Sequence, residues 1–211
     1  MRKLFILLFA ALPCFTAMAQ ENDGKEWSPS GWSAVTYNYY LNVPDGMLSS
    51  GVGLDFCLFE YQINPHSNTI FSVGLLDFIF DWRFLKTDLQ FADDGSVAPI
   101  QIKDANATLF DLGFSFPIGI TQRLGRNISA SLFAAPGIAW VNYRNTYSTD
   151  LVKHSDTFTP RKGGTGFRLD VKAAVWFDFG GVFLRYQPIA FTPKGQEKKV
   201  QTISVGLAFR F

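Results

Sequence analysis

The last twelve residues restrict the fold more than any other stretch of the chain. From Val200 to Phe211, Ile203, Val205, Leu207, Phe209 and Phe211 share one face of an extended segment, with Gln201 opening that face at a polar rim. Thr202, Ser204, Gly206, Ala208 and Arg210 share the other. Successive strand side chains point to opposite sides, so this period of two predicts a strand with one apolar and one polar surface.

The pattern recurs. Phe167, Leu169, Val171, Ala173, Val175 and Phe177 alternate with Arg168, Asp170, Lys172, Ala174, Trp176 and Asp178. Thr108, Phe110, Leu112, Phe114, Phe116 and Ile118 oppose Leu109, Asp111, Gly113 and Ser115, while Val52, Leu54, Phe56 and Leu58 oppose Gly51, Gly53 and Asp55. Residues 128–142 place Ile128, Ala130, Leu132, Ala134, Ile138 and Trp140 together. Residues 69–85 are expected to group Ile70, Gly74, Leu76, Phe78, Phe80 and Trp82 against Ser72, Asp77 and Asp81, with Val73, Leu75 and Ile79 breaking the pattern. Residues 32–41 and 182–191, the latter with Val182, Leu184 and Tyr186 opposite Arg185 and Gln187, complete eight strands.

Composition separates two ways of using such strands. The chain carries 22 Phe, seven Tyr and five Trp at only 18% charged residues. A soluble β-sandwich would need a very large core to hide those stripes, whereas a lipid-facing wall needs none. Trp32, Tyr37, Tyr39, Tyr40, Trp82, Trp140, Tyr143 and Tyr186 fall near strand ends, where interfacial girdles are expected. Connections at 63–68, 121–127 and 179–181 are tight, with Asn64-Pro65, Leu124-Gly125-Arg126-Asn127 and Gly180-Gly181 as turn chemistry, while 86–106 and 143–164 are the longest. Short turns at one end, long loops at the other and an even strand count predict an all-β, eight-stranded antiparallel up-and-down transmembrane β-barrel over 32–211.

The other end of the chain reads as an export signal. Arg2 and Lys3 precede an apolar Leu4–Leu12 run, and Ala17-Met18-Ala19 has the small-x-small cleavage form, so residues 1–19 are expected to be removed. Cys14 raises a lipoprotein signal as the rival, but Pro13 stands where a small residue is required. Residues 20–31 are then a short periplasmic lead-in. Cleavage leaves seventeen basic against eighteen acidic residues, a balance that argues against nucleic acid. One cysteine, Cys57, remains, so no intramolecular disulfide forms.

Asn106-Ala107-Thr108-Leu109, Phe114-Ser115-Phe116-Pro117, Ala135-Pro136-Gly137 and the terminal Ile203 to Phe211 strand resemble the small outer-membrane β-barrel domain proteins of Bacteroidota, a group that includes the PorT-type barrels. The resemblance implies a Gram-negative outer-membrane site with both termini periplasmic, and partners in outer-membrane lipid, lipopolysaccharide and possible envelope proteins. It also implies that Phe209 and Phe211 form the C-terminal signal read by the barrel assembly machinery. The family supplies no catalytic motif to carry over.

Direct searches for chemistry return little. His66 falls in a tight turn, and His154-Ser155, with Asp150 and Asp156 nearby, falls in a long loop that cannot hold a base and nucleophile rigidly. Asp93-Asp94-Gly95 lacks the later ligands of a calcium loop, and Gly163-Gly164-Thr165-Gly166 lacks the lysine of a phosphate cradle. Lys194, Lys198 and Lys199 beside Glu197 read as a solvated loop or a point-charge patch for lipopolysaccharide phosphates. No metal or cofactor is expected. The informative polar set is Asp55, Asp77, Asp111, Arg168, Asp170, Lys172, Arg185 and Arg210, all expected inside. Eight strands leave room for little but side chains, so these are expected to pair and plug the barrel. The functional expectation is a non-enzymatic barrel for surface binding or for envelope or secretion assembly. A narrow channel or small-ligand carrier and a lipid-modifying enzyme are the alternatives.

Overall fold

The computed structural model describes residues 27–42, 48–63, 65–85, 89–91, 97–99, 106–149, 152–158, 165–188 and 200–211. The expected signal segment and the loop residues Asp93, Asp94, Asp150, Lys194, Glu197, Lys198 and Lys199 lie outside them.

Eight antiparallel walls close on themselves. They are β1 (Trp27–Leu41), β2 (Leu48–Ile63), β3 (Thr69–Leu85), β4 (Asn106–Ser115, continued by Ile118–Arg123), β5 (Ile128–Thr149), β6 (Thr165–Phe177), β7 (Gly180–Gln187) and β8 (Gln201–Arg210). Each pairs with the next in sequence, and β1 pairs with β8 from Trp32↔Arg210 to Leu41↔Gln201, so no edge remains within the wall. At the long-loop end a strand at Val152–Phe158 pairs with Tyr143–Thr149 of β5, and Leu89–Phe91 pairs with Val97–Pro99.

Several boundaries move. β1 begins at Trp27, so the last residues of the expected lead-in already belong to the wall. Residues 121–123 extend β4, and 143–149 extend β5 beyond the expected loop boundary. The break in β4 falls at Phe116-Pro117, because a proline has no N–H for the ladder.

The period-of-two rule fails at one belt of the wall, for a physical reason. In β3, Asp77 pairs with Ser115 but Val73 pairs with Ile118, so β3 carries one extra residue there. Leu76 adopts the left-handed region (φ 57°), and Leu75 and Leu76 both face outward. Beyond this bulge Ile70, Ser72 and Gly74 turn inward, which corrects the expectation that Ile70 and Gly74 share a face with Phe78, while Leu76 does share it. β2 bulges beside it, with Leu58 and Phe59 opposite the single Gly31 of β1. Gly74 is needed here because a Cβ would lie 2.9 Å from the Pro117 ring.

The two surfaces are inverted relative to a soluble protein. Tyr37, Phe71, Ile118, Leu132, Phe167, Val182 and Leu207 are exposed around the outside. The buried set inside is dominated by Asp, Arg, Lys, Ser and Thr. A wall that is apolar outside and polar inside is stable only where its outside meets hydrocarbon. Trp32 and Tyr40 correct two expected girdle positions: Trp32 lies 1% exposed inside the barrel, its ring centroid 5.4 Å from that of Phe183, and the Tyr40 ring faces the buried Arg83 guanidinium at 5.3 Å.

The chain end closes the seam between β8 and β1. Gly31 and Phe211 exchange two backbone hydrogen bonds, at 3.0 and 3.1 Å, and the Phe211 ring packs over Gly31 and beside Phe56. Phe211→Ala keeps the backbone bonds but removes the ring. The expected loss is roughly 1–3 kcal/mol, less than a full core truncation because the ring is half-exposed. Equilibrium urea unfolding in lipid vesicles measures it.

Candidate functional site

The lumen is divided along the barrel axis. Toward the tight-turn end Trp32, Cys57, Ala174, Trp176, Phe183 and Ala208 form an apolar floor. Lys172 Nζ sits 4.9 Å from the Trp32 ring centroid, so the ammonium lies against an aromatic face where the charged layer begins.

Above the floor runs one alternating chain of charges. Asp77 meets Lys172 at 2.6 Å, and Lys172 meets Asp55 at 2.8 Å. Asp55 reaches Arg185 at 3.4 Å, which holds Asp81 at 2.5 Å. Asp81 then meets Arg168 at 3.4 Å, Arg168 meets Asp111 at 3.6 Å, and Asp111 meets Arg83 at 2.6 Å. These residues come from β2, β3 and β4 on one side of the lumen and from β6 and β7 on the other. The chain therefore spans the interior from wall to wall. Each member is at most 1% exposed.

Neutral groups add hydrogen bonds to the layer. Asn38 Nδ2 donates to Asp81 Oδ1 at 2.9 Å, Arg185 donates to Ser204 Oγ at 3.1 Å, and Ser115 donates to Asp77. Such hydrogen bonds are what let ions tolerate a low-dielectric interior, where pairing alone seldom offsets desolvation.

One member does not fit the alternation. Asp170 branches from Arg168, its Oδ2 2.5 Å from Nε, while its Oδ1, like those of Asp77 and Asp111, has no hydrogen-bond partner among the described residues. The chain without Asp170 matches four aspartates to four cations, so Asp170 is the surplus carboxylate.

Seven of the eight residues picked from sequence, Asp55, Asp77, Asp111, Arg168, Asp170, Lys172 and Arg185, meet in this layer. Arg210 does not. It lies at the tight-turn end with its guanidinium carbon 4.2 Å from the Trp176 ring centroid, donating to Ser131 Oγ at 3.1 Å. Asp81, seen on the polar face but not assigned to the network, is the hub that joins Arg185 to Arg168. Arg83 was missed outright. Its parity with Asp77 and Asp81, unbroken along this part of β3, was the available signal.

The other candidates disperse. His66 is exposed in the tight turn after β2. His154, Ser155 and Asp156 lie on the Val152–Phe158 strand, where only the backbone is described. Cys57 is buried and donates to the Phe59 carbonyl at 3.3 Å. Among the described residues no three His, Cys, Asp or Glu side chains gather as a metal site, and no helix is long and apolar enough to cross a membrane.

No protein-family model matches the chain, and no curated protein matches it. Solved structures do. Ail, the attachment invasion locus protein of Yersinia pestis, in complex with the heparin analogue sucrose octasulfate, is 14% identical with a TM-score of 0.44, covering 89% of this chain and 100% of that one. Neisserial surface protein A is 10% identical with a TM-score of 0.40, covering 89% and 98%. The N-terminal β-barrel domain of Pseudomonas aeruginosa OprF is 11% identical with a TM-score of 0.30, covering 90% and 100%. These are small outer-membrane β-barrels, and at such identities the likeness concerns the fold alone.

Proposed function

We propose that this chain is a non-enzymatic outer-membrane β-barrel whose lumen is plugged, and which acts through its ends in surface binding or in envelope or secretion assembly. The observation that carries this reading is the ion-pair chain from Asp77 to Arg83, which joins opposite walls and leaves its charged groups engaged with each other. A conduit or carrier needs polar groups available to its cargo, and a hydrolase needs a base held against a nucleophile. Neither arrangement occurs among the described residues of the lumen. The resemblance to the Bacteroidota barrels supports an envelope role, with β4, β5 and the Val152–Phe158 strand presenting the long-loop end to a partner.

The test is purification of the tagged protein from native outer membranes in mild detergent, followed by identification of what remains bound. An envelope protein retained in stoichiometric amount, and lost when 152–158 is replaced by a short turn, is expected. A lone barrel that passes small solutes into vesicles would overturn the reading.

A further inference from the structure

The tight-turn end carries an unexplained combination of charge and exposed apolar surface. The turn between β4 and β5 meets the turn between β6 and β7, where Asp178 N donates to the Asn127 carbonyl at 3.2 Å. Between them lies a cleft of about 160 Å³ whose lining includes Arg123, Arg126, Trp176 and Asp178. Ile128 lines it too; Leu124, Phe177 and Phe179, each next in sequence to a lining residue, are exposed, and Phe179 at 72% is the most exposed large apolar residue described. Tips of this kind are unfavourable in water and favourable at the boundary between acyl chains and headgroups.

The charges are placed for a specific kind of headgroup. Arg123 is held in position by donating to the Pro65 carbonyl at 2.6 Å. Arg126 and Asp178 are exposed, and neither takes part in an ion pair among the described residues. Guanidinium groups match phosphate oxygens, and a carboxylate beside them matches an ammonium. The cleft has room for a small polar group but not for a bulky ligand.

We infer that this cleft binds the headgroup of an aminophospholipid, with Arg123 and Arg126 on the phosphate, Asp178 on the primary ammonium, and Leu124 and Phe179 among the acyl chains. A phosphatidylglycerol headgroup offers the phosphate but nothing for Asp178. Free phosphate offers no acyl chains for the apolar tips.

The experiment places the whole protein in nanodiscs of equal phosphatidylethanolamine and phosphatidylglycerol, then releases it in a mass spectrometer and counts retained lipids. Wild type is expected to keep the amino lipid over the glycerol lipid by about three-fold, the scale of one partly exposed charge contact. Asp178→Asn should fold, since asparagine accepts the left-handed backbone of Asp178 (φ 53°), and should bring the ratio to about one. Arg126→Ala should lower retention of both lipids by about three-fold. Equal or greater retention of phosphatidylglycerol by wild type overturns the inference. So does retention indifferent to Arg126→Ala, and so does displacement of the lipid by inorganic phosphate.

Discussion

Arg168→Ala lowers the unfolding free energy by about 3–5 kcal/mol, the usual cost of stripping one partner from a buried ion pair. Arg168 touches three carboxylates, Asp81, Asp111 and Asp170, and is itself 0% exposed. Its removal leaves Asp170 without an ion-pair partner among the described residues and Asp111 paired with Arg83 alone among them. Asp170→Asn is the informative contrast. It removes the surplus carboxylate, keeps an oxygen able to accept from Arg168 Nε, and leaves four aspartates against four cations. Its expected effect is within about 1 kcal/mol of zero, the scale of a single hydrogen bond. Urea titrations of both variants folded into vesicles measure the difference. Equal losses for the two would contradict an alternating chain with Asp170 as its branch.

Leu132→Arg costs about 2–4 kcal/mol if the outer face of the wall lies in hydrocarbon. Leu132 is 52% exposed, set between Ile120 of β4 and Ala173 of β6 in the middle of an apolar band. On a soluble barrel an arginine at so exposed a position changes stability by no more than about 0.5 kcal/mol. The same unfolding experiment therefore distinguishes lipid from water as the neighbour of this surface. Running it in vesicles rather than detergent matters, because a detergent shell yields to an inserted guanidinium more easily than a bilayer does.

Eight walls, their order and the inward or outward face of most residues were legible from alternation alone. β5, β6, β7 and β8 follow the sequence pattern throughout their described cores, because a regular ladder transmits parity without error. β2 and β3 do not. One extra residue in each shifts parity, and nothing in the pattern around Leu58-Phe59 or Leu75-Leu76 says which neighbour absorbs it. That depends on Gly31 and Pro117, distant in sequence and adjacent only once the sheet has closed.

The site was legible to the same depth. Charge at alternating positions identified seven members of the lumen layer, since a charge facing lipid would be prohibitive. Which acid meets which base was not readable, for pairing depends on stagger between strands. Asp81 as the hub and Asp170 as the surplus became visible only as distances. Trp32 and Tyr40 were misplaced because a strand-end position along the chain does not say which side of the wall a side chain takes, whereas Arg210 faces inward as expected but lies below the charged layer, against Trp176.

The most direct test of a lumen closed by the Asp77-to-Arg83 chain is electrical. The protein is inserted into planar lipid bilayers and current is recorded under applied voltage, with insertion verified independently by protease protection. A closed lumen gives no conductance steps above the bare bilayer, for wild type and Asp170→Asn alike. Reproducible steps of one size from the wild-type protein would contradict it, and would mean that the charged layer lines a path for ions instead of blocking one.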